Sequence, residues 1–145
     1  MEKISDIKTL TEEELKNWLK EVGEKPFRAD QIRNRLFCGQ VKSFNEMETI
    51  PAALREKLSA NFRITSLEEA KRLISVDGTV KWLYQTHDGH HIETVLIPTN
   101  DRFSVCVSTQ IGCAQNCAFC RTAKMGFIRN LEAGEILEEI IRVNW

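Results

Sequence analysis

Three of the five cysteines in this 145-residue chain lie close together, in the stretch IGCAQNCAFC. Cys113, Cys117 and Cys120 have the spacing C-x3-C-x2-C. A structural zinc site takes four ligands, usually as two C-x2-C-type pairs, and a ferredoxin-type cluster takes four cysteines. Three thiolates leave one metal position without a protein ligand, and in catalytic sites such a position binds a substrate or a cofactor. The spacing therefore indicates a metal centre with an open coordination position.

Composition and the N-terminal sequence indicate the cellular compartment in which these thiols lie. Hydrophobic residues make up 42% of the chain and charged residues 28%, as in folded globular proteins. The N-terminal stretch is polar and charged and has no apolar core of a secretory signal. No apolar run approaches the roughly 18 residues that span a bilayer. We therefore expect a cytoplasmic protein that does not associate with a membrane. In the cytoplasm thiols stay reduced, and clustered cysteines bind metals or act as reactive groups.

Residues 1–62 have the apolar periodicity of a small helical domain. Thr11 and Glu14 form the pattern of a capping box at the start of the first helix. Cys38 lies near the end of the second helix, and we interpret it as a small buried hydrophobic residue without a ligand role. The residues predicted to face the core are Leu15, Trp18, Leu19, Val22, Phe27, Ile32, Leu36, Phe37, Phe44, Met47, Leu54 and Leu58.

The net charge of −1 does not indicate nucleic-acid binding, but the charge is unevenly distributed. Residues 24–42 carry five basic side chains against two acidic ones. This stripe could face RNA phosphates, or it could be the solvated face of a helix. The basic residues are Lys25, Arg28, Arg33, Arg35 and Lys42.

Residues 63–103 change to a β pattern. Two Asp-Gly pairs, at 77–78 and 88–89, separate segments rich in β-forming residues, which is a strong hairpin signal. The pattern predicts an antiparallel meander that leads into a buried strand, SVCVS, over residues 104–108. Three histidines crowd the second turn and could bind a metal, but we interpret them as exposed turn residues. They are His87, His90 and His91.

Residues 104–145 contain this last strand, the cysteine loop and a helix. The predicted helix carries Leu131, Ile136, Leu137, Ile140, Ile141 and Val143 on a wide apolar face. Such a face would normally pack on later strands, and we expect this chain to expose it. The order strand, loop, helix is that of the first unit of a βα-repeat architecture. The sequence as a whole therefore predicts an α+β fold in three parts.

Several stretches in order resemble a known family. The cysteine triad, with Phe119 before its last cysteine, resembles the signature of the radical SAM enzymes. RADQIRNRLF, DGTVKWLY, ETVLIP, CVSTQIGCAQNCAFC and GFIRNL together resemble the N-terminal part of the RlmN/Cfr family of RNA adenine methyltransferases. The likeness extends from about Leu10 to the end of the chain. It implies a helical RNA-contacting accessory domain, a β-hairpin region and the start of a radical SAM (β/α) barrel.

The resemblance also implies roles for five residues. Cys113, Cys117 and Cys120 match the ligands of a 4Fe-4S cluster, whose open iron binds S-adenosyl-L-methionine. Glu93 in ETVLIP matches the proton acceptor at the target adenine, and Cys106 in CVSTQIGC matches the thiol that resolves a protein–RNA thioether by forming a disulfide. Without the resemblance, Glu93 would be interpreted as a surface carboxylate and Cys106 as a core residue.

The family's reaction fixes the expected partners. Its members methylate carbon 2 of an adenine in 23S rRNA and in the tRNA anticodon loop, through a methyl-cysteine intermediate. The resemblance therefore implies that 23S rRNA and tRNA are substrates. It also implies an external electron donor of the flavodoxin or ferredoxin kind, and a monomeric protein.

The chain departs from the family in length. A complete (β/α)-type barrel takes on the order of 200 residues, and only residues 104–145 are available for it. The glycine-rich stretch that contacts S-adenosyl-L-methionine and the methyl-carrying cysteine of the family have no counterpart here. We therefore expect a truncated chain that is inactive alone. The alternatives are a different radical SAM enzyme and a non-catalytic RNA-binding fragment.

Overall fold

The computed structural model describes residues 5–39, 41–115 and 117–143. The outer ends of the first and last predicted domains, residues 1–4 and 144–145, lie outside the described residues. Within the described ranges, no helix combines the length and the apolarity that crossing a membrane requires.

The backbone forms two compact units, of which one ends in the sequence at Thr65 and the other begins at Ser66. The first unit is helical, and the second contains a β-sheet, the cysteine loop and one helix. This is a mixed α/β chain, as predicted. The division into three domains, with limits after residues 62 and 103, stays a prediction.

The helical unit consists of three helices and a short strand pair. The helices are α1 (Glu12–Glu21), α2 (Arg28–Phe37) and α3 (Ala52–Asn61). A two-residue strand, β1 (Ser5–Asp6), precedes α1. It pairs in parallel with β2 (Phe62–Arg63), which directly follows α3. The start and the end of the unit are thus hydrogen-bonded to each other.

Local sequence signals explain where α1 begins and ends. The Thr11 hydroxyl accepts a hydrogen bond from the Glu14 amide at 3.2 Å, and the Glu14 carboxylate accepts one from the Thr11 amide at 2.7 Å. The predicted capping box is therefore confirmed. The helix ends before Gly23, whose φ of +78° favours glycine.

A single apolar core holds the helical unit together, and it contains most of the predicted residues. Two predictions for this unit are wrong. Phe27 is 49% exposed because it precedes α2 as its N-cap, where its ring lies under the Arg28 guanidinium. Cys38 is exposed because it follows the last turn of α2. The buried core residues are Ile7, Leu15, Leu19, Ala29, Ile32, Leu36, Val41, Phe44, Met47, Ile50, Leu54 and Leu58.

The second unit begins with the predicted antiparallel meander. Its sheet has the order β3–β4–β5–β6. The strands are β3 (Glu68–Ile74), β4 (Val80–Gln85), β5 (His91–Thr99) and β6 (Arg102–Cys106). The core behind the sheet contains Leu67, Trp82, Tyr84, Ile92, Ile111, Leu131 and Val143.

Both Asp-Gly turns have the same geometry. In the first, the Ser75 amide bonds to the Thr79 carbonyl at 2.9 Å and the Gly78 amide to the Ser75 carbonyl at 3.0 Å. In the second, the Thr86 amide bonds to the carbonyl of residue 90 and the Gly89 amide to the Thr86 carbonyl. Gly78 and Gly89 have φ values of +83° and +82°. This is the three-residue hairpin loop, a type I turn followed by a left-handed glycine.

The prediction of a buried strand over residues 104–108 is wrong. Strand β6 lies at the edge of the sheet, paired with β5, and all five of its residues are exposed. Phe103 is 72% exposed and Val105 40% exposed. An apolar alternation at an edge strand looks the same in sequence as one in a central strand, so the pattern could not distinguish them.

The cysteine loop lies between two more strands. β7 (Gln110–Gly112) precedes the loop and pairs antiparallel with β8 (Phe127–Asn130), which follows it. Helix α4 (Ala133–Val143) comes next. The predicted order of strand, loop and helix is present, but the strand before the loop is paired antiparallel with the segment after it.

Candidate functional site

The cysteine loop is closed at its base by backbone contacts. The Cys113 amide donates to the Gly126 carbonyl at 3.1 Å, one residue beyond the pairing of Gly112 with Phe127. Gly112 and Gly126 have φ values of +74° and +76°. The two glycines turn the chain into and out of the loop in a conformation that L side chains rarely adopt.

Cys120 is the thiol whose surroundings are best defined. The backbone amides of Ala123 and then Thr122 hydrogen-bond its sulfur and lower the pKa of the thiol. The Cys120 amide donates to the Cys117 carbonyl at 3.1 Å, which turns the chain between these two residues. Because the thiolate is the metal-binding form of cysteine, the amides favour the form that a metal would need.

The structure does not gather the three thiols round one point. Cys113, Cys117 and Cys120 are each half-buried in the same loop. In the part of the chain that the structure describes, however, no group of three or more His, Cys, Asp or Glu side chains is placed to hold a metal ion. The donor chemistry suits an iron–sulfur cluster, but in this arrangement the three side chains do not fit one.

The structure contains no disulfide bond among the described cysteines. All five cysteines, each within the described ranges, carry free thiols. The expectation of a disulfide is therefore not supported, and Cys106 is an exposed free thiol. It lies at the end of β6, opposite Val95 of β5.

A cavity of about 440 Å³ joins the predicted base to the cysteine loop. Small-molecule sites commonly have volumes of roughly 300–1,000 Å³. The lining of this cavity includes Glu93 of β5 together with Arg121 and Thr122 of the cysteine loop. The lining residues are Lys81, Leu83, His91, Ile92, Glu93, Ser108, Gln110, Gly112, Arg121, Thr122 and Met125.

Glu93 is accessible in this cavity and has a fixed partner. Its carboxylate lies 2.6 Å from the ammonium of Lys81 on the adjacent strand, and its side chain is 54% exposed. The structure thus brings Glu93 to one cavity with residues of the cysteine loop, but the three predicted ligand cysteines are not among its lining residues, and neither is Cys106.

Of the histidines, His87 and His91 are exposed, as predicted. Next to this turn, Arg129 forms a branched ion pair that the sequence analysis missed. Its guanidinium bonds to both oxygens of Glu135, at 2.7 and 2.8 Å, and to Asp88 at 2.8 Å. Burial raises the pKa of Glu135, but hydrogen bonds from Arg129 and the Glu132 amide outweigh it and hold that pKa below its ordinary value.

The predicted apolar face of α4 is only partly correct. Three glutamates of this helix, Glu135, Glu138 and Glu139, are buried, whereas Ile140 is 46% exposed. Glu138 is paired with Arg142 at 2.8 Å. The recurrence of glutamate at three- and four-residue spacing places these side chains on one helix face, but the spacing alone does not indicate that this face is buried.

Glu139 is wholly buried against the strands that carry the predicted site residues. Its Oε2 accepts hydrogen bonds from the Thr94 hydroxyl at 2.5 Å and from the Ser108 amide at 3.0 Å. Its other oxygen, Oε1, has no hydrogen-bond partner. Burial raises the pKa of Glu139 to about 7, although the bonds from Thr94 and Ser108 act in the opposite direction.

The fold of this chain is similar to that of part of a radical SAM methyltransferase. A crystal structure of a radical SAM methyltransferase from Sphaerobacter thermophilus matches this chain with a TM-score of 0.84 and 38% sequence identity. The match covers 95% of this chain and 41% of the other.

The sequence relatives are more specific. Residues 5–64 match the family described as the ribosomal RNA large subunit methyltransferase N-terminal domain. The dual-specificity RNA methyltransferase RlmN of Anaeromyxobacter dehalogenans is 46% identical over 96% of this chain, and a probable RlmN of Bacillus velezensis is 50% identical over 90% of it. The predicted resemblance is confirmed: this chain is similar to the N-terminal part of the RlmN-type methyltransferases. It spans 37% and 36% of the length of these two relatives.

The first prediction concerns the base of the cysteine loop. A Cβ added at Gly112 would lie 1.7 Å from the Gly126 carbonyl oxygen, so Gly112→Ala must separate β7 from β8. Trypsin should then cleave faster after Arg121 and Lys124 in native protein, because an opened loop is a preferred site of proteolysis.

Gly126→Ala is the matched control. It has the same positive φ but no heavy atom within 4 Å of the added Cβ. Its cost should be the conformational strain alone, about 1–2 kcal/mol, without loop opening. Equal tryptic cleavage of the two variants would contradict the steric account of Gly112.

The second prediction is a pH dependence of stability. Because the pKa of Glu139 is raised from 4.5 to about 7 in the fold, the folded state binds its proton more tightly than the unfolded state. The stabilisation is complete below pH 4.5 and is lost as the pH rises through 7. Between pH 5 and 8, the free energy of unfolding should fall by roughly 2–3 kcal/mol more in the wild type than in Glu139→Gln.

Urea denaturation at both pH values measures this difference. Comparison with Glu139→Gln cancels the titration of the other groups, including Asp88, whose pKa is lowered by Arg129. The assignment fails if the two proteins show the same change in stability with pH.

Proposed function

We propose that this chain forms the N-terminal part of a radical SAM enzyme that methylates carbon 2 of an adenine in 23S rRNA and in the tRNA anticodon loop. The observation that carries the proposal is the shared cavity, whose lining includes Glu93 and also Arg121 and Thr122 of the cysteine loop. The similarity to RlmN-type methyltransferases supplies the substrate class.

The three cysteines of the loop are the proposed ligands of a 4Fe-4S cluster, with S-adenosyl-L-methionine at its open iron. When bound, these groups supply the one-electron chemistry that an unactivated aromatic carbon requires. Cys113, Cys117 and Cys120 must move together to hold the cluster, since the structure does not group them. The pairing of β7 and β8 holds the two ends of the loop together.

Glu93 is the proposed proton acceptor at the target adenine. A carboxylate on the wall of the cavity can face carbon 2 of a base that enters it, and the Lys81 ammonium at 2.6 Å holds the carboxylate in one direction. A base that removes a proton must lie within hydrogen-bond reach of it. The exposed position of Glu93 on β5 leaves room for that approach.

Cys106 is the proposed resolving thiol. In the reaction implied by the resemblance, its sulfur attacks the sulfur of a methyl-carrying cysteine, and the bond from that sulfur to the methylene carbon breaks. The electron pair of the broken bond stays with the carbon, which takes up a proton, and the two sulfurs end as a disulfide. An attacking thiol must be accessible, and Cys106 is exposed.

The helical unit is the proposed RNA-contacting part. The arginines of the basic stripe are held on its surface by contacts within the unit: Arg28 donates to Gln31 at 2.7 Å and Arg35 to the Glu46 carbonyl at 3.0 Å. Half-exposed guanidinium groups of this kind bind phosphates without reading sequence. A cytoplasmic location, a monomeric state and an electron donor of the flavodoxin or ferredoxin kind complete the proposal.

The third prediction tests the metal centre. Anaerobic treatment with iron and sulfide should give a brown protein with the broad visible absorbance of a four-iron cluster. Cys113→Ala, Cys117→Ala and Cys120→Ala should each abolish the absorbance and lower the bound iron, because two thiolates do not hold the cluster. Cys38→Ala and Cys106→Ala are the controls and should keep it. Full absorbance in the triple variant would remove the basis of the assignment.

The fourth prediction tests the substrate and the roles of Glu93 and Cys106. We expect a chimaera, in which this chain replaces the matching part of the Anaeromyxobacter dehalogenans relative, to methylate adenine in hypomethylated 23S rRNA. Cys106→Ala should stop release and leave RNA covalently bound to protein, whereas Glu93→Gln should stop turnover before release. Cys38→Ala should behave as the unsubstituted chimaera. Methylated RNA released by Cys106→Ala at the control rate would show that Cys106 is not the resolving thiol.

A further inference from the structure

A chain of hydrogen bonds connects the buried Glu139 to both strands that carry proposed site residues. Glu139 Oε2 accepts from the Ser108 amide at 3.0 Å, and the Ser108 hydroxyl donates to the Glu93 carbonyl at 2.8 Å. The same oxygen accepts from the Thr94 hydroxyl at 2.5 Å. One carboxylate oxygen on α4 is thus bonded to the residue after Glu93 and to the residue two positions after Cys106.

The alternation of β5 explains how a buried side chain can act on an exposed one. Successive side chains of a strand point to opposite faces, so Thr94 is wholly buried toward Glu139 while Glu93 is exposed in the cavity. Ser108 then bonds the carbonyl of Glu93 from the segment that leaves β6. The Glu93 carbonyl and the Thr94 side chain are therefore both held by hydrogen bonds that lead to Glu139.

One oxygen of the buried Glu139 carboxylate is unsatisfied, so packing alone does not explain a glutamate at this position. Its Oε1 is buried without a hydrogen-bond partner, and an unsatisfied buried polar atom costs free energy. The titratable groups that face it are Glu135 on its own helix and Tyr84 on β4, and neither is a cation. An apolar residue here would avoid the cost but would release Thr94 and Ser108.

We propose that Glu139 is a positioning residue that fixes Glu93 and Cys106 relative to each other through Thr94 and Ser108. The functional meaning of this placement rests on the roles proposed above for Glu93 and Cys106. Glu139 itself touches neither substrate nor cofactor in this account. A carboxylate or an amide can accept both bonds, whereas a methyl group can accept neither.

The experiment follows backbone amides of this chain by nuclear magnetic resonance and needs no cluster, cofactor or RNA. The Ser108 amide reports its bond to Glu139, and the Thr94 amide shares a peptide group with the Glu93 carbonyl that accepts from Ser108. In the wild type, both amide shifts should titrate together with the Glu139 carboxyl as the pH rises from 5 to 8.5. In Glu139→Gln, both should be independent of pH.

Substitutions then distinguish a positioning role of Glu139 from a role in the overall stability of the second unit. Glu139→Ala should speed hydrogen exchange of the Ser108 amide by about tenfold relative to amides of β4, the effect of losing one hydrogen bond locally, and should shift the Cys106 and Glu93 resonances. Glu139→Gln should restore slow exchange and the original Glu93 and Cys106 shifts. Glu138→Gln, at another buried position of the same helix but paired with Arg142, is the control and should change neither.

A uniform loss of protection across the second unit in Glu139→Ala, with no recovery in Glu139→Gln, would overturn the proposal and leave a structural role. If Glu139→Ala does not fold, Thr94→Val removes one donor alone and should still shift the Glu93 resonances; unchanged shifts there would also overturn it. Failure of cluster assembly would count against the proposed function and leave these amide measurements untouched. The two failures are therefore distinguishable.

Discussion

The buried charge of Glu135 is the constraint on which the second unit depends. A carboxylate with no exposed surface is costly unless it is fully paired, and Arg129 pairs both of its oxygens. The same guanidinium reaches Asp88 in the second hairpin turn. One arginine therefore joins the meander, the strand after the cysteine loop and the first turn of α4. Loss of it would leave the buried carboxylate with the Glu132 amide at 2.8 Å and His87 at 3.7 Å as its remaining partners.

Elements with strong local signals could be predicted from the sequence. The capping box at Thr11 fixes the start of α1 by reciprocal side-chain and backbone bonds, and these need only residues three apart. The two Asp-Gly pairs fix the hairpins because glycine alone tolerates the left-handed position of each turn. The cysteine spacing alone indicates a metal centre, whereas Glu93 in ETVLIP becomes a candidate site residue only through the family resemblance, and its role stays a prediction.

What could not be predicted depends on contacts between distant residues. The burial of Glu139 follows from donors on Thr94 and Ser108, which no pattern within α4 indicates. The exposure of Cys106 follows from the place of β6 at the sheet edge, which depends on the number of strands and their order. Cys38 is apolar enough to be expected in the core, but it lies past the last turn of α2 and is exposed.

The paired strands at the base of the cysteine loop have a consequence for metal affinity. Closing a flexible loop costs conformational entropy that grows only slowly with its length, and here β7 and β8 have closed it before any ligand arrives. A metal centre in this loop would have to order only the residues between Cys113 and Gly126. Insertions among those residues should therefore weaken metal binding gradually, whereas any change that separates the two strands should weaken it abruptly.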